Sequence, residues 1–135
     1  METLETLYRA PTERSPLLEF DFTNRRLRIE GESYPEDAAA FYGPVIQALE
    51  TFLAAAVAAP DATVRFELRM SYFNSSSAKA LMNIFQRLEA AAATGVGVHI
   101  RWHYHVEDDT MQEFGEDFSE DFAHAVFELC EFDDD

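Results

Sequence analysis

Apolar and polar residues alternate along some stretches of this chain and recur at helical spacing along others. Leu17-Leu18-Glu19-Phe20-Asp21-Phe22 reads as a strand, Thr23-Asn24-Arg25 as a turn, and Arg26-Leu27-Arg28-Ile29-Glu30 as a second strand that closes a hairpin and ends at Gly31. Ser33-Tyr34-Pro35-Glu36 has the form of a helix start, a serine followed three residues later by a glutamate with proline in the first turn. Pro44 interrupts the spacing that follows. The pattern therefore predicts a short helical piece over 35–42 and a main helix from Pro44 to about Ala58. Val45, Ile46, Leu49, Phe52, Leu53 and Val57 share one face of it. Asp61-Ala62-Thr63 leads into a strand over Val64–Phe73. A helix with a stripe of Ala78, Leu81, Phe85, Leu88 and Ala92 comes next and is closed by Gly95 and Gly97. Val98–Tyr104 alternates strictly, as a half-buried strand does. Glu107 to about Glu120 reads as an acidic helix with Met111, Phe114 and Phe118 on one side, and Ala125–Leu129 as a last short strand.

The order is ββ-α-β-α-β-α-β. Helices that alternate with strands after an opening hairpin predict an α/β fold, a mixed, mostly parallel sheet with helical cover and an N-terminal β-hairpin. The polar residues 1–15, with Pro11, are expected to form a flexible arm, residues 16–132 a single domain, and 133–135 an acidic tail.

Composition narrows the function. The 135 residues suffice for one core, and 47% are hydrophobic, which argues against wholesale disorder. The net charge is −16, and it is unevenly placed. Residues 1–105 hold 13 acids and all 10 Lys and Arg, whereas residues 106–135 hold 13 acids and no Lys or Arg. Such a surface repels phosphate backbones, so no nucleic-acid partner is expected. It suits a basic partner, or simply a solvated face. The single cysteine, Cys130, has no partner for an internal disulfide and is expected to be buried and inert. With no signal-peptide pattern and no uninterrupted apolar run of ~18 residues, the expected setting is cytoplasmic, without membrane insertion.

The stretch "SYFNSSSAKAL", Ser71–Leu81, places three adjacent serines where a strand hands over to a helix. One serine can cap the helix through a free backbone N–H of its first turn, and three exceed what a cap requires. A phosphate there would meet exposed N–H donors and the positive end of the helix dipole. It would add about −1.5 to −2 charge. Lys79, the only lysine, stands four residues after Ser75 and can reach back toward it.

The stretches "GESYPEDAAAFYGPVIQAL" (Gly31–Leu49), "SYFNSSSAKAL" (Ser71–Leu81), "IRWHYHVEDDTMQEFGEDF" (Ile100–Phe118) and "AVFELCEF" (Ala125–Phe132) together resemble the SiaC family of bacterial regulatory phosphoproteins. The resemblance covers roughly residues 16–132. It implies a fold of the STAS, or anti-sigma-factor-antagonist, type and no catalysis. It also implies a hydroxyl residue in the Tyr-Phe-Asn segment that a serine/threonine protein kinase phosphorylates and a PP2C-type phosphatase restores. In such a partner-switching system the unphosphorylated protein binds and activates a diguanylate cyclase, which raises cyclic di-GMP and promotes biofilm, and phosphorylation blocks the binding. The position after Tyr-Phe-Asn, a threonine in the family, is Ser75 here. Ser75 is thus the expected phosphoacceptor, with Asn74, Ser76, Ser77 and Lys79 shaping the partner-binding surface and the Ser33–Tyr42 segment adjoining it. "HYH" at His103–His105 departs from the Tyr and acidic residues of relatives.

Two other readings remain open. One is an anti-sigma-factor antagonist. The other is a small metal- or ligand-binding domain built on His103, His105 and Glu107, since alternate strand residues lie ~6.5–7 Å apart on one face. The family reading needs no cofactor. The carboxylates from Asp108 to Asp117 lack the glycine-centred loop of a calcium site and read as a solvated or partner-facing helix.

Overall fold

The structure of the chain, a computed structural model, describes residues 6–57 and 63–133. Its elements in chain order are β1 (Leu7–Arg9), β2 (Leu17–Asp21), β3 (Arg26–Ser33), α1 (Ala38–Val57), β4 (Thr63–Phe73), α2 (Ser75–Ala93), β5 (Gly97–His105), α3 (Asp109–Ser119) and β6 (Val126–Phe132). The six strands form one sheet in the order of the sequence. β1–β2 and β2–β3 pair antiparallel; β3–β4, β4–β5 and β5–β6 pair parallel. This is the mixed, mostly parallel α/β sheet with an opening hairpin that the alternation predicts.

The strand order dictates where the helices lie. Each parallel step moves the same way across the sheet, and right-handed crossovers in one direction stack their helices on one face. The burial pattern follows. On β4, Val64, Phe66, Leu68 and Met70 are buried beneath the helices, while Arg65 and Arg69 point the other way and are exposed. Among the described residues no helix covers the other face, which is uncommon for parallel strands. A row of alternating charge runs across it. Glu19, Arg28, Glu67, Arg101 and Glu128 stand in register on β2 to β6. Arg28 Nη2 lies 3.3 Å from Glu19, and Arg101 lies 3.2 Å from Glu67 and 3.5 Å from Glu128. Such exposed pairs are screened by water and contribute little, but the row places no like charges side by side.

Several boundaries differ from the sequence expectation. Residues 7–9 of the expected arm form β1 and pair with β2. Residues 1–5 of that arm, the helix end at Ala58, Asp61-Ala62 and the tail residues Asp134–Asp135 lie outside the described residues. β3 passes through Gly31, at φ 109°, and continues to Ser33 with a bulge between Gly31 and Glu32. α1 is one helix rather than two, with Pro44 inside it. The proline costs ~3 kcal/mol in a helix interior. Burial of Tyr42, Val45, Leu49, Phe52 and Leu53 outweighs this at ~1.5–3 kcal/mol each. Ala56 is buried on that face, and Val57 is exposed. Among the described residues α1 is also the one helix long and apolar enough to cross a membrane, and its apolar face is spent on the core. β6 runs to Phe132, three residues past the expected end. Cys130 is half-buried on the bare face in register with His103, and burial pushes its thiol up.

Candidate functional site

α2 starts at the carboxyl end of β4, directly after Phe73 and Asn74. Its cap is Asn74 rather than a serine. The Asn74 side-chain oxygen accepts the Ser77 N–H at 2.9 Å, and its carbonyl accepts the Ala78 N–H at 2.9 Å. Ser75 and Ser76 occupy the first turn with no intrahelical acceptor for their N–H groups. That turn carries no acidic residue.

The three serines have different surroundings. Ser75 and Ser76 are exposed. Ser77 is fully buried. Its hydroxyl accepts from Ser33 Oγ at 2.8 Å, and Ser33 Oγ lies 2.6 Å from the Tyr42 hydroxyl. Ser33 has one proton to give, so Tyr42 donates to it. Burial pushes the Tyr42 phenol up, with the two serine contacts acting against that rise. Ser77 therefore does not shape the exposed surface as expected; it ties α2 to β3 and α1. Ser33 likewise is no helix cap. It ends β3, and Asp37 caps α1 by accepting the Ala40 N–H at 3.0 Å.

Ser76 and Lys79 face α1 across a groove of about 490 Å3, which Glu36, Asp37 and Tyr42 also line. The Ser33–Tyr42 segment and the start of α2 thus meet at one end of the sheet. On the other flank, Phe114 of α3 packs on Phe73 with ring centroids 4.8 Å apart and remains 37% exposed. Tyr72, 49% exposed, stands edge-on to Tyr34 at 5.8 Å.

α3 is set by Asp108, whose side chain accepts the Met111 N–H at 3.0 Å, and by Gly115. A Cβ on Gly115 would lie 2.5 Å from Trp102 Cδ1 and 2.6 Å from Leu129. The glycine lets the helix lie close to Trp102, whose indole N–H donates to the Met111 carbonyl at 2.9 Å. Its role shows only in three dimensions.

Glu89, near the end of α2, was not singled out by sequence. Its carboxylate accepts the backbone N–H groups of Ala123 at 2.9 Å, His124 at 3.0 Å and Ala125 at 2.9 Å, and it lies 3.0 Å from His124 Nδ1. Burial alone would raise its pKa. The Ala125 amide, the His124 ring and the remaining amides outweigh burial and lower it to about 2. The clamp holds the segment that leads into β6.

His103, His105 and Glu107 do not gather into a metal centre. His103 Nε2 faces Glu67 at 3.3 Å, while His105 Nδ1 accepts the Glu107 backbone N–H at 3.0 Å and its ring stands edge-on to Phe132. Among the described residues no group of three His, Cys, Asp or Glu side chains converges to hold a metal ion.

Comparison with known proteins agrees with this architecture. A family described as SiaC family regulatory phosphoprotein matches residues 9–132. An uncharacterized protein of Pseudomonas aeruginosa (strain UCBPP-PA14) is 37% identical over 117 residues, covering 85% of this chain and 90% of the relative. The structure resembles a chain in the crystal structure of the diguanylate cyclase SiaD in complex with its activator SiaC from Pseudomonas aeruginosa. The TM-score is 0.86 at 34% identity, over 93% of this chain and 99% of that one. Apo-SiaC from the same organism matches with a TM-score of 0.81 at 34% identity, over 95% and 98% of the two chains. With residues 9–132 matching the family and the fold shared over 93% and 95% of its length with the two solved SiaC chains, this chain belongs to the SiaC family of regulatory phosphoproteins.

Proposed function

We propose that this chain is the phosphorylatable member of a partner-switching system. Unphosphorylated, it binds and activates a diguanylate cyclase, raising cyclic di-GMP and promoting biofilm. A protein kinase places phosphate on Ser75, which blocks the binding, and a PP2C-type phosphatase removes it. The chain acts by binding, without catalysis of its own. The observation that carries this reading is the difference among the three serines. Ser75 is exposed at the first position of an asparagine-capped helix, whereas Ser77 is buried and bonded to Ser33.

The mechanism is electrostatic and local. A phosphate on Ser75 adds about two negative charges to an acid-free first turn, where free N–H groups and Lys79 can hold it without rearranging the core. A cyclase surface shaped for a neutral hydroxyl must then desolvate an unpaired dianion. Ser75→Ala is expected to keep cyclase binding and resist phosphorylation, while Ser75→Asp loses binding. Peptide mass mapping after incubation with the kinase checks the acceptor. Phosphate on Ser76 alone would overturn the Ser75 assignment, and equal cyclase binding by both phosphoforms would overturn the switch.

A further inference from the structure

Met82 lies seven residues beyond Ser75 and is 42% exposed. Seven residues fall ~20° short of two helical turns, so both side chains stand on one line along α2, about 10 Å apart. Beside Met82 a concavity of about 140 Å3 opens between α2 and the chain after α3. Met82, Phe85, Phe118 and Phe122 line it together with Gln86, Asp121 and the clamp residue Glu89. Its floor is aromatic and tightly interlocked, with Phe85 5.2 Å from Phe118 and 5.6 Å from Phe122. The Glu89 clamp fixes the segment immediately after Phe122. The volume falls well below the ~300 Å3 at which small-molecule sites begin and suits a single apolar side chain. The surroundings are acidic: Asp117, Glu120 and Asp121 are neighbours in sequence, and residues 106–135 contain no Lys or Arg.

We propose that this pocket receives one apolar anchor side chain of the diguanylate cyclase, carried on a segment with Lys or Arg flanking the anchor. The docking surface then extends from Ser75 along the crest of α2 to Phe122. This rests on the function proposed above and adds where the partner is gripped. A preformed apolar pocket with a charged rim is the arrangement in which few residues dominate an interface. The complementary charge sets partner choice and encounter rate. Phosphate and anchor act at opposite ends of one surface, so either perturbation alone weakens binding.

Two substitutions test the pocket with the full-length proteins. Met82→Glu places a charge at its mouth, and Gln86→Trp, also at an exposed position, covers it. Arg65→Gln on the bare sheet face is the control. Cyclase binding by titration calorimetry is expected to weaken tenfold or more for both pocket variants and to stay unchanged for the control. Kinase labelling of Ser75 in each variant shows that the head of α2 is intact. Should Met82→Glu fail to fold, Gln86→Trp carries the same reading. Binding of the wild type should also weaken on going from 0.1 to 0.5 M NaCl, as charge complementarity requires. Wild-type binding that survives both variants overturns the pocket and leaves the switch standing. Salt-independent binding overturns the basic flanks. Failure of the unmodified wild type to bind the cyclase overturns the function and the pocket together.

Discussion

Replacing Glu89 by Gln probes how the chain before β6 is held. The carboxylate accepts from three backbone amides and faces the His124 ring, and its side chain is 20% exposed. Glutamine retains one acceptor oxygen and turns an NH2 group toward amides that also donate. Displacement of the carboxyl from its ordinary 4.5 to about 2 bounds the pH-linked stability at about 3 kcal/mol. Partial access of water lowers the expected loss to about 1–2 kcal/mol, or roughly 3–8 °C in midpoint for a domain of this size. The sign follows from the direction of the shift. A carboxyl depressed in the folded state stabilises fully above its unfolded value of ~4.5, and that contribution fades as pH falls toward ~2. Urea unfolding of wild type and Glu89→Gln at pH 7.5, above the window, and at pH 3, inside it, avoids the isoelectric region near 4.4. The gap between the two proteins should be full at pH 7.5 and clearly smaller at pH 3. A gap of equal size at both pH values, or none at pH 7.5, would refute the clamp.

Two further substitutions address the packing around α2 and α3. Gly115→Ala drives a methyl into Trp102 and Leu129 at about 2.5 Å, so a loss of ~1–3 kcal/mol and a changed Trp102 fluorescence are expected; an unchanged midpoint and spectrum would contradict the close approach. Ser33→Ala removes the hydroxyl between Tyr42 and Ser77 and should cost ~1–3 kcal/mol in thermal unfolding, while Ser75, exposed and outside this network, should keep whatever labelling by the proposed kinase the wild type shows.

The strands were legible because one face of the sheet is bare. Val64, Phe66, Leu68 and Met70 alternate with solvent-facing residues because, among the described residues, no helix covers the side of Arg65 and Arg69; a parallel sheet covered on both sides would read as a continuous apolar run. Leu7–Arg9 is too short for any period to show, and it owes its strand conformation to β2. Pro44 misled because local rules price a proline and cannot see the burial of Tyr42 and Leu49 that offsets it. The head of α2 was recognisable from Tyr-Phe-Asn and its serines. The separate fate of Ser77 was not, since its partner Ser33 lies 44 residues away. Glu89 and Gly115 were hidden for the same reason. Their partners, at Ala123–Ala125 and at Trp102, come together only in the folded chain.

The sheet's strands lie side by side in the order in which they occur along the chain. A polypeptide leaving the ribosome can therefore lay down each strand against one already in place, without waiting for a distant partner to be made. The hairpin comes first, and every later βα unit adds one strand to the growing edge. β6 is the last to arrive, and Trp102, which stacks on Phe127 of that strand, stays incompletely covered until synthesis is almost finished. The strand order thus lets α2 dock on the sheet before the final strand is made.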